Sequence, residues 1–115
     1  MSKQAFPLLS LTILATNVLA SERFVTLNGT KPDAGGYALG VVRQNAVSGD
    51  MVTVDVIGTA IVEAGAAIVS GSTLKVDASG RVIPWETSGA RVGIALQAAS
   101  ASGQFIEILL TPVAA

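Results

Sequence analysis

The sequence contains neither cysteine nor histidine in its 115 residues. Without cysteine there is no disulfide framework, no thiolate metal site and no cysteine nucleophile. Without histidine the commonest general base near neutral pH is missing, which excludes a Ser-His-Asp triad and ordinary zinc sites. A nucleophile elbow and a phosphate-binding glycine loop are also absent. We therefore expect a protein that is not an enzyme, with no catalytic, cofactor-binding or metal-binding residues.

Charged residues are also few, at 13% of the chain, and they do not cluster. Seven Lys and Arg residues balance eight Asp and Glu residues, which leaves a net charge of −1. Because phosphate binding needs a basic stripe, direct contact with nucleic acid is not expected. Two explanations fit so uncharged a chain: a fully buried core, or a surface largely covered by other subunits. The composition favours the second.

The carboxylates are the remaining candidates for a metal-binding or catalytic site. Asp50, Asp55 and Asp77 lie in or beside predicted turns and strands, and they do not follow the spacing of a calcium loop. A paired-acid site would need carboxylates that converge in a cleft. We interpret these three residues as turn-forming and surface acids.

Small aliphatic residues and glycine dominate what is present, and these favour β structure. Aromatic residues make up only 4% of the chain, whereas glycine occurs 12 times. Val and Ile suit pleated surfaces, and Gly supplies turns and bulges. Short alternating segments separated by turn residues predict a mainly β protein with a small β-barrel or β-sandwich-like domain.

The clearest strand signal lies at residues 51–57, where alternate residues share a face. Val52, Val54 and Val56 point one way, while Thr53 and Asp55 point the other. We expect Gly58 to end this strand and a new strand to begin at Thr59. Further strands are predicted at 24–27, 37–42, 74–77, 81–83 and in the region 90–110, with a turn at residues 102–103.

Residues 6–20, FPLLSLTILATNVLA, have the outline of a secretory signal peptide. Polar residues interrupt the apolar run, which argues against a membrane span. Leucine and isoleucine alternate with Ser10 and Thr12, a period typical of a strand or an extended arm. We therefore predict a retained N-terminal arm at residues 1–23 and a β-rich domain at 24–115. The alternative is an exported bacterial β-domain, a periplasmic or surface-binding module with residues 1–20 as its signal.

The downstream sequence resembles the capsid decoration, or cement, proteins of tailed phages. The resemblance rests on AGAAI at residues 64–68, LKVDASGRV at 74–82 and GIALQAASASGQFIEILL at 93–110. The upstream segments GGYALGVV and SGDMVTVDVIGTAIV also fit, so the likeness covers roughly residues 24–112. Each piece consists of turns and small residues, and it is their order and spacing that are specific.

This resemblance implies a structural virion protein on the outer surface of a phage head, made in the host cytoplasm. Such proteins form homotrimers at three-fold and quasi-three-fold positions. They cement neighbouring major capsid subunits against the pressure of packaged DNA. Neither a small-molecule substrate nor a membrane is an expected partner, and no cofactor is needed.

The role of the arm does not follow from the resemblance, so its prediction rests on physical chemistry. An extended, uncharged strand can satisfy its backbone groups and its apolar face by joining a neighbour's sheet. We expect Phe6, Leu9, Leu11 and Ile13 to dock on the capsid protein or on an adjacent decoration subunit. Trp85, the single tryptophan, is expected to pack in the core or at the trimer interface.

Overall fold

The computed structural model describes residues 5–111, and within this range the chain forms eight β-strands and no helix. Residues 1–4 of the predicted arm and 112–115 of the predicted domain lie outside the described residues. The strands are β1 (Pro7–Leu14), β2 (Phe24–Val25), β3 (Gly40–Val42), β4 (Met51–Glu63), β5 (Thr73–Val76), β6 (Val82–Pro84), β7 (Gly93–Ala95) and β8 (Phe105–Leu110). The prediction of a mainly β protein is confirmed. No helix that could cross a membrane occurs between residues 5 and 111.

All of these strands belong to one curled antiparallel sheet. Their order is β2-β3-β4-β8-β7-β5-β6, and β1 pairs with β4 beside this path. The two ends of the path approach each other, since the Phe24 N–H donates to the Gly80 carbonyl at 2.8 Å. Val82 of β6 forms a parallel bridge with Ala64, just after β4. This curling confirms the expected barrel-like domain.

β4 is the central strand, and it does not end at Gly58. It runs for 13 residues, pairs with β1 and β3 in its first half, and continues along β8 in its second. The predicted break is therefore wrong. Gly58 has a φ of +112°, and a Cβ at this position would fall on the Phe6 carbonyl oxygen. The glycine lets β1 approach closely at an irregular step in the pairing while the strand continues.

The buried side chains form two hydrophobic clusters that share β4. The first cluster includes Ala60 and Val62 of β4 together with residues of β5 to β8. The second includes Val52, Val54 and Val56 of β4 with Ala15 and Leu19 from the N-terminal segment. The predicted inward face of residues 51–57 is thus confirmed. β3 lies between the clusters, because Val41 belongs to the first and Val42 to the second.

The predicted strands at 24–27 and 37–42 are shorter than expected. A tight turn follows β2, in which the Thr26 N–H donates to the Thr30 carbonyl and the Gly29 N–H donates to the Thr26 carbonyl. These bonds take Thr26 out of the sheet ladder. The segment from residue 26 to 39 therefore becomes a long connection on the surface.

Candidate interaction surface

The N-terminal segment predicted as an arm forms β1, which pairs antiparallel with β4 of the same chain. At its end, the Ala15 N–H donates to the Asp50 carbonyl and the Ala15 carbonyl accepts from the Gly49 N–H, both at 2.8 Å. Ala15 and Leu19 are buried in the second cluster. The described part of the arm is thus a strand of the sheet and contributes to its core.

A buried carboxylate ties β1 to the rest of the sheet. The Ser10 hydroxyl donates to Asp55 Oδ1 at 2.7 Å, and Arg43 Nε lies 2.8 Å from the same oxygen. The Asp55 side chain is only 4% exposed, whereas that of Arg43 is 46% exposed. The expectation that Asp55 is a surface acid is therefore wrong, because β1 and Arg43 cover it and supply its hydrogen bonds. An acid within an otherwise apolar strand was the available signal, since a buried charge needs partners.

The other two acids have the predicted turn roles. Asp50 Oδ2 accepts a hydrogen bond from the Val47 N–H at 3.0 Å. Asp77 Oδ1 accepts from the N–H groups of Ser79 and Arg81, both at 2.9 Å. Across residues 5–111 no three acidic groups converge in a way that could hold a metal ion.

Exposed apolar side chains gather on β1 and on the neighbouring half of β4. We call this group the arm surface; it comprises Phe6, Leu8, Leu9, Leu11, Leu14, Met51 and Ile57. Leu8 is 80% exposed and Phe6 is 59% exposed. Leu9 pairs with Ile57 and Leu14 with Met51 across the two strands. Leu11 shares the face of Val54, whereas Leu14 and Met51 lie on the opposite face of the two strands. Residues 5–21 contain no charged side chain, and exposed apolar side chains in such number are typical of an interaction site.

β1 also presents a free backbone edge. Both backbone groups of Ala15 bond to residues 49 and 50, which lead directly into β4, and the direction of these groups alternates along a strand. The N–H and C=O groups of Ser10 and Thr12 therefore point away from β4. β1 has no charged residue to protect this edge, and its proline stands at the first position. An unprotected edge of this kind is a template for another strand.

The structure brings three of the four predicted arm residues onto the arm surface. Phe6, Leu9 and Leu11 are exposed there, whereas Ile13 is partly buried against the second cluster. Sequence reasoning missed Leu8, which precedes the irregular pairing at Leu9, and also missed the β4 members. Alternation along β4 is the signal that could have found Ile57, because it puts this residue on the side opposite the valines.

Trp85 lies on the connection between β6 and β7, and it belongs to neither buried cluster. Its indole N–H donates to the Gly89 carbonyl at 2.8 Å. The Arg91 guanidinium carbon lies 4.1 Å from the centre of the ring. The half-buried indole therefore fixes the loop that contains it.

Comparison with known proteins identifies the family of this chain. The family model described as phage cement protein matches residues 3–110. The chain belongs to the phage cement protein family. This confirms the resemblance seen in the sequence, and the match includes the N-terminal segment. Phage cement proteins are structural proteins of phage heads.

A solved structure shows the same fold. The crystal structure of the head fiber gp8.5 N base in bacteriophage phi29 matches with a TM-score of 0.72 and 19% sequence identity. The match covers 90% of this chain and 93% of that chain. At this identity the likeness concerns the fold alone. No curated protein matches the sequence.

Proposed function

We propose that this phage cement protein decorates the outer surface of the head and holds neighbouring major capsid subunits together against packaged DNA. The observation that carries this proposal is the arm surface, where seven exposed apolar side chains adjoin a free strand edge. Membership of the cement protein family supports a structural role without enzymatic activity.

The arm surface offers a capsid subunit two kinds of contact. Its apolar side chains gain free energy when they leave water. Its free edge supplies backbone hydrogen bonds to an added strand, whose side chains would meet Leu9 and Leu11. Phe6, Leu9 and Leu11 contact the major capsid protein directly in this proposal, and Ile13 anchors β1 to the second cluster.

Assembly around the shell multiplies these contacts. The proposed unit is a homotrimer at the three-fold and quasi-three-fold positions, with Trp85 near its subunit contacts. Three linked arm surfaces bind with avidity, because the second and third contacts are intramolecular. The protein would be made in the host cytoplasm and then added to the shell.

Burial of the N-terminal segment supports its retention in the working protein. Cleavage after Ala20 would remove β1 together with Ala15 and Leu19, which are buried in the second cluster. The family match also begins at residue 3. Both observations favour an arm over a cleaved signal peptide.

Substitutions on the arm surface test the proposal without removing the strand. We expect Phe6→Ala combined with Leu9→Ser to weaken binding to expanded, undecorated heads by at least about tenfold, as loss of central apolar contacts does at other interfaces. Val69→Ser is the matched control, since Val69 is 73% exposed and lies outside the arm surface. Co-sedimentation with purified heads measures the binding.

Three further outcomes bear on the proposal. Equal binding by the double variant and the Val69→Ser control would show that the arm surface does not contact the capsid. Electron microscopy of decorated heads should show density of this size at the three-fold positions. Decorated heads should also resist heat better than undecorated heads, and equal resistance would contradict the cementing role.

A further inference from the structure

The connection between β2 and β3 forms an open groove on the surface. None of the residues that line it belongs to the arm surface. The groove has a volume of about 750 Å³ and is lined by residues between Thr26 and Leu39. Ligand sites in proteins commonly have volumes of about 300–1,000 Å³. The groove is therefore large enough to hold a ligand of two or three rings.

Four of the six polar side chains that line this groove have no partners within the described part of the chain, whereas those of Thr26 and Thr30 hydrogen-bond to each other. No hydrogen bond or ion pair is formed by the side chains of Asn28, Lys31, Asp33 or Tyr37. Arg43 differs, since its side chain pairs with Asp55. The groove thus contains hydrogen-bond donors and acceptors that are free to bind a ligand. Its apolar lining includes Ala38 and Leu39.

The loop that carries these side chains is held in place by backbone bonds. The Gly35 N–H donates to the Val76 carbonyl at 2.8 Å, and the Gly35 carbonyl accepts from the Ala90 N–H at 2.9 Å. At its other end, the Gly29 carbonyl accepts from the Thr16 N–H at 3.1 Å. Anchoring at both ends keeps the groove formed before a ligand arrives, which lowers the ordering cost of binding.

Charge and shape select the class of ligand. Lys31 and Asp33 cancel, so the groove favours a neutral ligand over an anion such as a phosphate chain. Tyr37 is 52% exposed and offers a flat aromatic face. Asn28, Lys31 and Asp33 can donate to and accept from several hydroxyl groups. A ligand with one apolar face and many hydroxyl groups is a sugar.

We propose that this groove binds a neutral oligosaccharide, with one sugar ring stacked on Tyr37. Asn28, Lys31 and Asp33 hydrogen-bond its hydroxyl groups. This site would serve a second function besides attachment to the capsid, because its residues are distinct from those of the arm surface. On a decorated head, many copies of the groove would bind a glycan-coated surface with avidity.

Titration of the full-length protein with maltotriose, chitotriose and a β-galactose trisaccharide tests this proposal. Amide resonances of residues 26–39 should shift with at least one of these sugars in NMR spectra. Tyr37→Ala should then weaken binding by about tenfold or more, whereas Tyr37→Phe, which keeps the ring, should retain affinity within about threefold. Thermal unfolding checks that both variants fold.

Phe6→Ala separates this site from the capsid-binding surface. It should bind the sugar like the unmodified protein while binding undecorated heads more weakly, and Tyr37→Ala should show the reverse. No shift with any of the three sugars would overturn the saccharide site and leave the capsid proposal standing. Equal sugar affinity of Tyr37→Ala would also overturn it. A shift caused only by a peptide from the capsid protein would replace the proposal with a protein-docking groove.

Discussion

Asp55 and Arg43 form an ion pair in which only one partner is shielded from water. The Asp55 carboxylate is buried and receives the Ser10 hydroxyl, whereas nearly half of the Arg43 side chain is exposed. Losing Arg43 leaves a buried charge without its counter-ion, but losing the Asp55 charge leaves a cation that water can reach. The two substitutions therefore have unequal costs.

We expect Arg43→Ala to lower the free energy of unfolding by about 3 kcal/mol, and Asp55→Asn to lower it by about 1–2 kcal/mol. The double variant should be more stable than Arg43→Ala alone, because the neutral amide removes the unpaired buried charge. Urea unfolding of the three variants measures these differences. Additive losses in the double variant would show that Asp55 is not held as a buried charge by Arg43.

The contact between β1 and β4 depends on a glycine at the point where the pairing is irregular. Gly58 combines a positive φ with a Cβ position that the Phe6 backbone occupies. Gly49 has a similar φ of +99°, but a Cβ there would meet nothing within 4 Å. Alanine at Gly49 therefore measures the cost of the backbone conformation alone. Alanine at Gly58 measures that cost together with the cost of displacing β1.

Gly49→Ala should cost about 1 kcal/mol, which is the strain of a left-handed backbone with a side chain. Gly58→Ala should cost about 3 kcal/mol or more, because the overpacking adds to that strain. It should also expose amides of β1 to hydrogen exchange. Equal effects of the two substitutions on stability and exchange would mean that β1 does not lie against Gly58.

The strands β1 and β4 show which features the sequence can predict and which it cannot. Alternation predicted the inward valines of β4 and the strand character of residues 9–13, because period two depends on local residues alone. The continuation of β4 through Gly58 and the burial of Asp55 both depend on β1, which is more than 40 residues away. The pairing that brings Met51 and Ile57 of β4 next to β1 likewise follows from strand register, which local patterns do not determine.

At the scale of the whole molecule, the two buried clusters are joined by strands that serve both. β4 contributes valines to the second cluster and Ala60 and Val62 to the first. β2 does the same, with Phe24 in the first cluster and Val25 in the second. If β2 and β4 unfold, both clusters become exposed to water. The domain should therefore unfold in one step.

We expect Trp85 fluorescence and far-ultraviolet circular dichroism to report the same midpoint in urea. NMR signals from Ala15 and Leu19 should disappear at that midpoint too, since these residues belong to the second cluster. Coincident transitions are the criterion for two-state unfolding. An earlier transition for the N-terminal residues would show that β1 and its cluster unfold separately.

The pairing of β1 with β4 also has a mechanical consequence. β1 lies antiparallel to β4 over most of its length, and the Ser10 hydroxyl bond to Asp55 lies within this overlap. A pull along the axis of β1 loads its hydrogen bonds in shear, so they must break together. A pull across the strand peels them apart one at a time. A partner that draws on β1 lengthwise would therefore meet more resistance than one that pulls it sideways.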